Sequence, residues 1–367
     1  MPTVAEIISV LERFAPPSTA ASWDNVGLLL GNETATVSRL MTCLTVTPPV
    51  VAEAVADQVE MIVSHHPILF LGVKSLSTRT AEGRLLGPLL SAGVAVYSPH
   101  TAFDNCLGGI NDGLCKRLGL TQVQPLRPWP AATQVKLVVF VPDTDLARVS
   151  DALFSAGAGV IGQYEQCSFR LAGTGTFFGT DATNPTVGQK GRREEVAEWR
   201  LELLVPESRL TAVLAAMRAA HSYEEPAFDV YPLQALPGTG GEGRIGELSA
   251  SLSLGELADR VKAELRASLV QRIGDPQRPI RRVAVACGAA GEYLTDAIQA
   301  QADLFLTGEL RFHDALRAEA AGIAVLLPGH YASERPAVED LAAELGRQFP
   351  GLNVWASRHE QDPLALA

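Results

Sequence analysis

The chain has no block of clustered Lys and Arg, and that absence carries weight. Its 30 basic residues are outnumbered by 41 acidic ones, for a net charge of -11 and a pI near 5.2. Binding to a phosphate backbone depends on clustered cations, so nucleic acid is not an expected partner. Cysteine is also sparse: Cys43, Cys106, Cys115, Cys167 and Cys287 are odd in number, widely spaced and form no C-x-x-C. That argues against a disulfide framework or a thiolate zinc site and for a reducing, cytoplasmic setting. No apolar run reaches the roughly 18 residues needed to cross a bilayer, and Met1-Pro2-Thr3 does not open a secretion signal. The expectation is a soluble cytoplasmic protein with no membrane partner, and no low-complexity segment or short repeat interrupts it.

The 367 residues are 47% apolar and 19% charged, enough for two or three ordinary domains. Thr3 and Glu6 stand in capping-box spacing before Val4, Ile7, Ile8, Leu11 and Phe14, which share one helical face. Apolar runs at 39–45, 61–64 and 94–97 read as buried strands, with helices between them capped near Thr47 and ended at Gly93. This β-α-β rhythm predicts parallel strands with right-handed crossovers. A short helix is expected near 111–118, and Pro125, Pro128 and Pro130 then read as a composition break.

Between that break and a Gly-rich linker at 237–243 the pattern changes. Strands at 134–141, 168–178, 198–205 and 227–233 and helices at 144–156 and 208–220 follow the order β-α-β-β-α-β of a ferredoxin-like domain. The α/β rhythm then returns, with strands at 244–251, 283–287, 304–307 and 323–327 and a last helix from about Ser333 to Phe349. The predicted fold class is therefore α/β. Two α/β lobes, 1–127 and 238–367, form one metal-site domain, interrupted by a ferredoxin-like α+β insertion at 128–237.

Chemistry-bearing residues gather at the predicted strand ends. His65, His66, His100 and His330 each follow a strand, and Asp104 and Glu334 each lie four residues after a histidine. In open α/β sheets the carboxyl ends of strands line the ligand crevice. Neutral imidazole and carboxylate suit zinc, manganese, iron, cobalt or nickel, and no cysteine cluster competes for a structural role. Adjacent extended residues point apart, so His65 and His66 are expected to serve one ion each. Two ions roughly 3.5 to 4 Å apart, joined by carboxylates, form a hydrolytic centre.

Five motifs carry a family resemblance: Ser22-Trp23-Asp24-Asn25-Val26-Gly27, Ser64-His65-His66-Pro67, His100-Thr101-Ala102-Phe103-Asp104, Gly243-Arg244-Ile245-Gly246 and Gly329-His330-Tyr331-Ala332-Ser333-Glu334. Together they resemble the dinuclear-metal-centre hexameric proteins known as GTP cyclohydrolase 1 type 2 homologues. The middle segment, with Ala220-His221-Ser222-Tyr223-Glu224-Glu225-Pro226, looks like the insert of the longer members. The resemblance implies two divalent ions per subunit, held by His65, His66, Asp104, His330 and Glu334. It also implies a homohexamer enclosing a cavity, and ring-opening hydrolysis of GTP. Thr45 stands where such proteins commonly have Asp, which removes a charge beside the expected site.

Each residue has a plainer reading. His65 and His66 alone would be a polar turn, Asp104 a loop cap and Glu334 a first-turn helix carboxylate. Their combination favours the site. For His100 the readings of catalytic proton carrier, ligand support and loop anchor stay open, with the catalytic one adopted. His313 and Glu309 are read as having no ligand role, Gly288-Ala289-Ala290-Gly291 as a plain strand-to-helix turn, His359 as solvated, and the His221 loop as structural or ligand-sensing, not catalytic. The leading function is a metal-dependent hydrolase acting on a small polar or nucleotide substrate. The rivals are a non-catalytic metal-binding or ligand-sensing hexamer with a small-molecule effector at the insert, and a phosphatase or phosphodiesterase using the same centre.

Overall fold

The computed structural model describes residues 1–130, 133–234 and 237–365. The chain divides into two compact units, one made of 1–129 with 239–367 and the other of 130–238. The first helix, Val4–Phe14, starts as its sequence dictates. Thr3 accepts from the Glu6 N–H while the Glu6 carboxylate accepts from the Thr3 N–H, and Val4, Ile7 and Leu11 are buried. Burying each such side chain contributes about 1.5–3 kcal/mol.

Two sheets form the larger unit. In the first, Gly27–Leu30, Ala95–Ser98, Met61–Ser64, Arg39–Cys43 and Asn353–Ala356 lie in that order, parallel except for the antiparallel Gly27–Leu30 edge. The three central strands are almost wholly buried, which is why they appear in sequence as continuous apolar runs. In the second sheet the order is Gln271–Ile273, Ala324–Leu327, Leu304–Thr307, Pro279–Ala286, Pro237–Ser253 and Leu120–Pro130. Its three central pairings include two parallel ones, between Pro279–Ala286, Leu304–Thr307 and Ala324–Leu327. One apolar core joins the sheets, drawing Val63 and Tyr97 from the first and Val283 and Leu306 from the second.

The smaller unit is a four-stranded antiparallel sheet in the order Phe169–Phe178, Arg193–Pro206, Gln134–Pro142, Phe228–Pro232, with helices Leu146–Ser155 and Leu210–Ala220. This is the ferredoxin-like order, and its core packs Val139, Leu153, Leu203 and Met217.

Several local expectations are corrected. Pro125, Pro128 and Pro130 do not interrupt structure. They sit in strand Leu120–Pro130, at the edge of its sheet, the position where proline is best tolerated because only one side of the strand is paired. The expected Gly-rich linker at 237–243 is the start of the long strand Pro237–Ser253. The last helix begins at His330 and not near Ser333, since Gly329 at φ +99° turns the chain into it. Residues 100–105 form a short helix, and Asn353–Ala356 is an unforeseen strand. Arg244, 2% exposed, donates to Asn105 O, Cys106 O and the Asp112 carboxylate, securing the end of that short helix.

Candidate metal centre

The carboxyl ends of the two sets of parallel strands meet at one place. His65 and His66 follow Met61–Ser64, and His100 opens the short helix after Ala95–Ser98 and carries Asp104 one turn on. Opposite them Cys287 and Gly288 follow Pro279–Ala286, and His330 and Glu334 occupy the first turns of the last helix. All six residues expected at the site are brought together. His66 Nε2 and His330 Nε2 each lie 3.1 Å from Glu334 Oε2, and His65 Nε2 lies 3.9 Å from the same atom and 3.6 Å from Asp104 Oδ1. Ligand atoms of His65, His66 and His100, and of His66, His330 and Glu334, form two groups each within 4.8 Å.

One expectation about geometry fails. His65 and His66 do not point apart: their ring centroids are 5.0 Å from each other and both Nε2 atoms approach Glu334. The strand stops at Ser64, whose hydroxyl donates to His66 O at 2.7 Å, so the pair sits on a bend where strand alternation no longer applies.

Local electrostatics follow from burial and pairing. Burial pushes the His65 imidazole well below its ordinary value, so it is neutral, and neither ring nitrogen has a hydrogen-bond partner. An unpartnered buried polar atom costs about 1–3 kcal/mol. Such a residue fits a metal ligand, and the surrounding imidazoles and carboxylates suit a divalent transition ion. Burial also works to raise Glu334, but hydrogen bonds from His330 and His66 hold its carboxyl well below the usual range. Burial and the Glu334 charge push Asp104 up. The bond to Glu334 raises His330 to about 9 against the opposing effect of burial.

Each imidazole except His65 has an outer partner. Asp24 Oδ1 is 2.7 Å from His100 Nδ1, Glu309 Oε1 is 3.0 Å from His330 Nδ1, and Thr45 Oγ1 is 2.7 Å from His66 Nδ1. Burial would raise Asp24, yet hydrogen bonds from His100 and Thr101 outweigh it and hold the carboxyl at about 2. The Cys287 thiol, raised by burial and by Asp104, donates to Asp104 Oδ1 at 3.1 Å. Glycine is required at 288. Its φ is +65°, and a Cβ there would stand 2.3 Å from Glu334 Oε1 and 3.3 Å from His330 Nε2. His100 itself holds φ at +31°, a strained value for a side chain, kept by its Asp24 bond.

Sequence reasoning assigned no site role to Asp24, Cys287 or Glu309. Asp24 had a signal, since it lies inside a motif that marked the resemblance. Glu309 had the position after a buried strand. Among the other residues singled out, His313 and His359 are exposed, as expected. The 288–291 turn spends its backbone internally: Gly288 N–H donates to Ser333 Oγ, and Gly288 O accepts from Thr307 Oγ1.

A cavity of about 360 Å³ opens from the centre, lined by His66, His100, Asp104, Asn111, Glu334 and, at its far end, Arg127, Glu242 and Tyr293. Arg127 stacks 4.4 Å over Tyr293 and is paired with Asp296 and Glu242.

Comparison with known proteins places this geometry in context. The profile described as Duf34/NIF3 (NGG1p interacting factor 3) matches residues 2–363. A GTP cyclohydrolase 1 type 2 homolog from Halalkalibacterium halodurans is 39% identical over 324 residues, 88% of this chain and 87% of that protein. One from Bacillus subtilis is 37% identical over 366 residues, 98% of each. Among solved structures, a Bacillus cereus protein related to NIF3 is 35% identical with a TM-score of 0.70, covering 100% of this chain and 99% of that one.

Proposed function

The chain belongs to the Duf34/NIF3 (NGG1p interacting factor 3) family, and from that premise we propose a metal-dependent hydrolase with two divalent ions at the centre. The observation that carries this reading is the buried His65, whose two unpartnered nitrogens sit among three further imidazoles and two carboxylates. His65, His66, Asp104, His330 and Glu334 would hold the ions, with Glu334 Oε2 lying between His66 and His330 and so placed to be shared. When bound, the ions supply Lewis acidity and the positive charge that an anionic transition state needs.

The protein's own part is proton handling and selection. Asp24 ties Nδ1 of His100, which leaves Nε2 to give or take a proton at the substrate. The ionised Asp24 also favours the protonated imidazole: burial lowers His100, but the Asp24 bond and the Asp104 charge leave it raised. Among the described residues lining the cavity, Arg127 is the single Lys or Arg, and its charge is already met by Asp296 and Glu242. That lining supports a small polar substrate over a nucleoside triphosphate, although relatives bear the name GTP cyclohydrolase 1 type 2 homolog.

The direct test is to load the full chain with Zn, Mn, Fe or Co and assay small amides, cyclic ureas, phosphoesters and GTP. Turnover that appears with metal and disappears with chelator is expected, and Asp24→Asn should slow it by roughly 100-fold or more while the ions stay bound. Absence of metal-dependent turnover across all four classes would sink the enzyme reading.

A further inference from the structure

The C-terminal segment returns to the centre from more than 300 residues away. Beyond strand Asn353–Ala356, the Ser357 N–H donates to Thr42 O at 2.7 Å, and Glu53 accepts from Ser357 Oγ and from the Arg358 and His359 N–H groups, bending the chain inward. Glu360 is thereby buried. Its carboxylate accepts from Leu44 N–H at 2.9 Å and Thr45 N–H at 2.6 Å, just past the end of strand Arg39–Cys43, and Arg335 Nε lies 3.2 Å away. No strand partner meets those two N–H groups, so Glu360 stands in for one.

Thr45 passes this fixation on. Its hydroxyl oxygen lies 2.7 Å from His66 Nδ1, while His66 Nε2 lies 3.1 Å from Glu334. If Nε2 is to offer a lone pair at the centre, Nδ1 must carry the proton and donate it to Thr45 Oγ1. His100 and His330 are backed by carboxylates, Asp24 and Glu309, whereas His66 is backed by a neutral hydroxyl whose backbone is clamped by a carboxylate.

We infer that Thr45 and Glu360 are positioning residues that fix the tautomer and orientation of His66, so that the C-terminal segment sets how tightly the centre holds metal at His66 and Glu334. This rests on the reading of His66 as a ligand. It also gives Thr45 a role as an outer support of the centre, supplied by a hydroxyl in place of a charge.

The test is Zn²⁺ affinity of the full chain by chelator competition, together with the ¹⁵N NMR signature of the His66 imidazole. The variants are Thr45→Val, Thr45→Ser, Glu360→Gln and His66→Ala. Thr45→Val keeps the shape and removes the acceptor. It should weaken Zn²⁺ binding by about 10- to 100-fold and abolish the single Nδ1–H signature, while Thr45→Ser restores both. Glu360→Gln leaves one of the two N–H groups facing an amide nitrogen and should give a smaller loss in the same direction. If Thr45→Val binds Zn²⁺ like the native chain while His66→Ala does not, the positioning role is wrong and the ligand reading stands. If His66→Ala also binds like the native chain, both fall. Should Glu360→Gln fail to fold, the Thr45 pair decides alone.

Discussion

Two buried histidines, one in each unit, show opposite ways of meeting the same cost. His221, in unit 130–238, is 7% exposed and has both nitrogens engaged: Nε2 donates to Phe140 O at 3.0 Å and Nδ1 accepts from Tyr223 N–H at 3.1 Å. His65, in the larger unit, is 3% exposed and has neither nitrogen engaged. One imidazole is complete within the protein and the other is not. A satisfied buried imidazole stabilises a loop, whereas an unsatisfied one among carboxylates marks a place for a cation.

The largest break in this comparison should come from removing each ring in turn. His65→Ala should reduce Zn²⁺ affinity by more than the roughly 10- to 100-fold expected of an outer partner, with unfolding stability in urea held or raised. His221→Ala should leave Zn²⁺ binding unchanged and cost about 1–3 kcal/mol, because Phe140 O and Tyr223 N–H lose their partner. Equal effects of the two substitutions on metal affinity would erase the distinction.

Next in size is Gly288→Ala. The added methyl would press on Glu334 Oε1 and force a left-handed residue to carry a Cβ, costing about 1–3 kcal/mol and loosening metal binding together. A stable variant with native affinity would show that the Glu334 carboxylate is not held where the cradle places it.

Native metal binding should itself raise the melting point, by the equivalent of about 2.7 kcal/mol at a free ion concentration of 100 Kd. His221→Ala should keep that gain and His65→Ala lose it.

The smallest expected effect is on acid stability. Burial would raise Glu53, but bonds from Ser357 Oγ, Arg358 N–H and Trp355 Nε1 hold its carboxyl at about 2, below its ordinary 4.5. A group lowered on folding stabilises above its unfolded value and loses that stabilisation as pH falls. The native chain should therefore lose stability between pH 4.5 and 2, and Glu53→Gln, measured by urea midpoints, should be weaker at pH 7 and flatter across that window.

What the sequence revealed, and what it hid, follows from the range of each interaction. Continuous apolar runs at Met61–Ser64, Ala95–Ser98 and Ala324–Leu327 expose buried parallel strands directly, and with them the residues at their ends. Strand Leu120–Pro130 was masked by its prolines, which its edge position tolerates, and Pro237–Ser253, which lies inside the sheet, by the glycines at its start. The outer partners Asp24, Glu309 and Glu360 meet their targets across 76, 21 and 315 residues. No period or spacing announces such contacts. The bend that brings His65 and His66 together was likewise hidden, since their N–H groups donate to Cys43 O and Leu44 O and the Ser64 hydroxyl donates to His66 O, contacts that no local pattern announces.

Elemental analysis of metal-loaded protein, with anomalous scattering from its crystals, tests the centre most directly. Two ions per chain bounded by His65, His66, Asp104, His330 and Glu334 are the predicted result. Anomalous peaks elsewhere, or a centre that stays empty at saturating Zn²⁺, would contradict it.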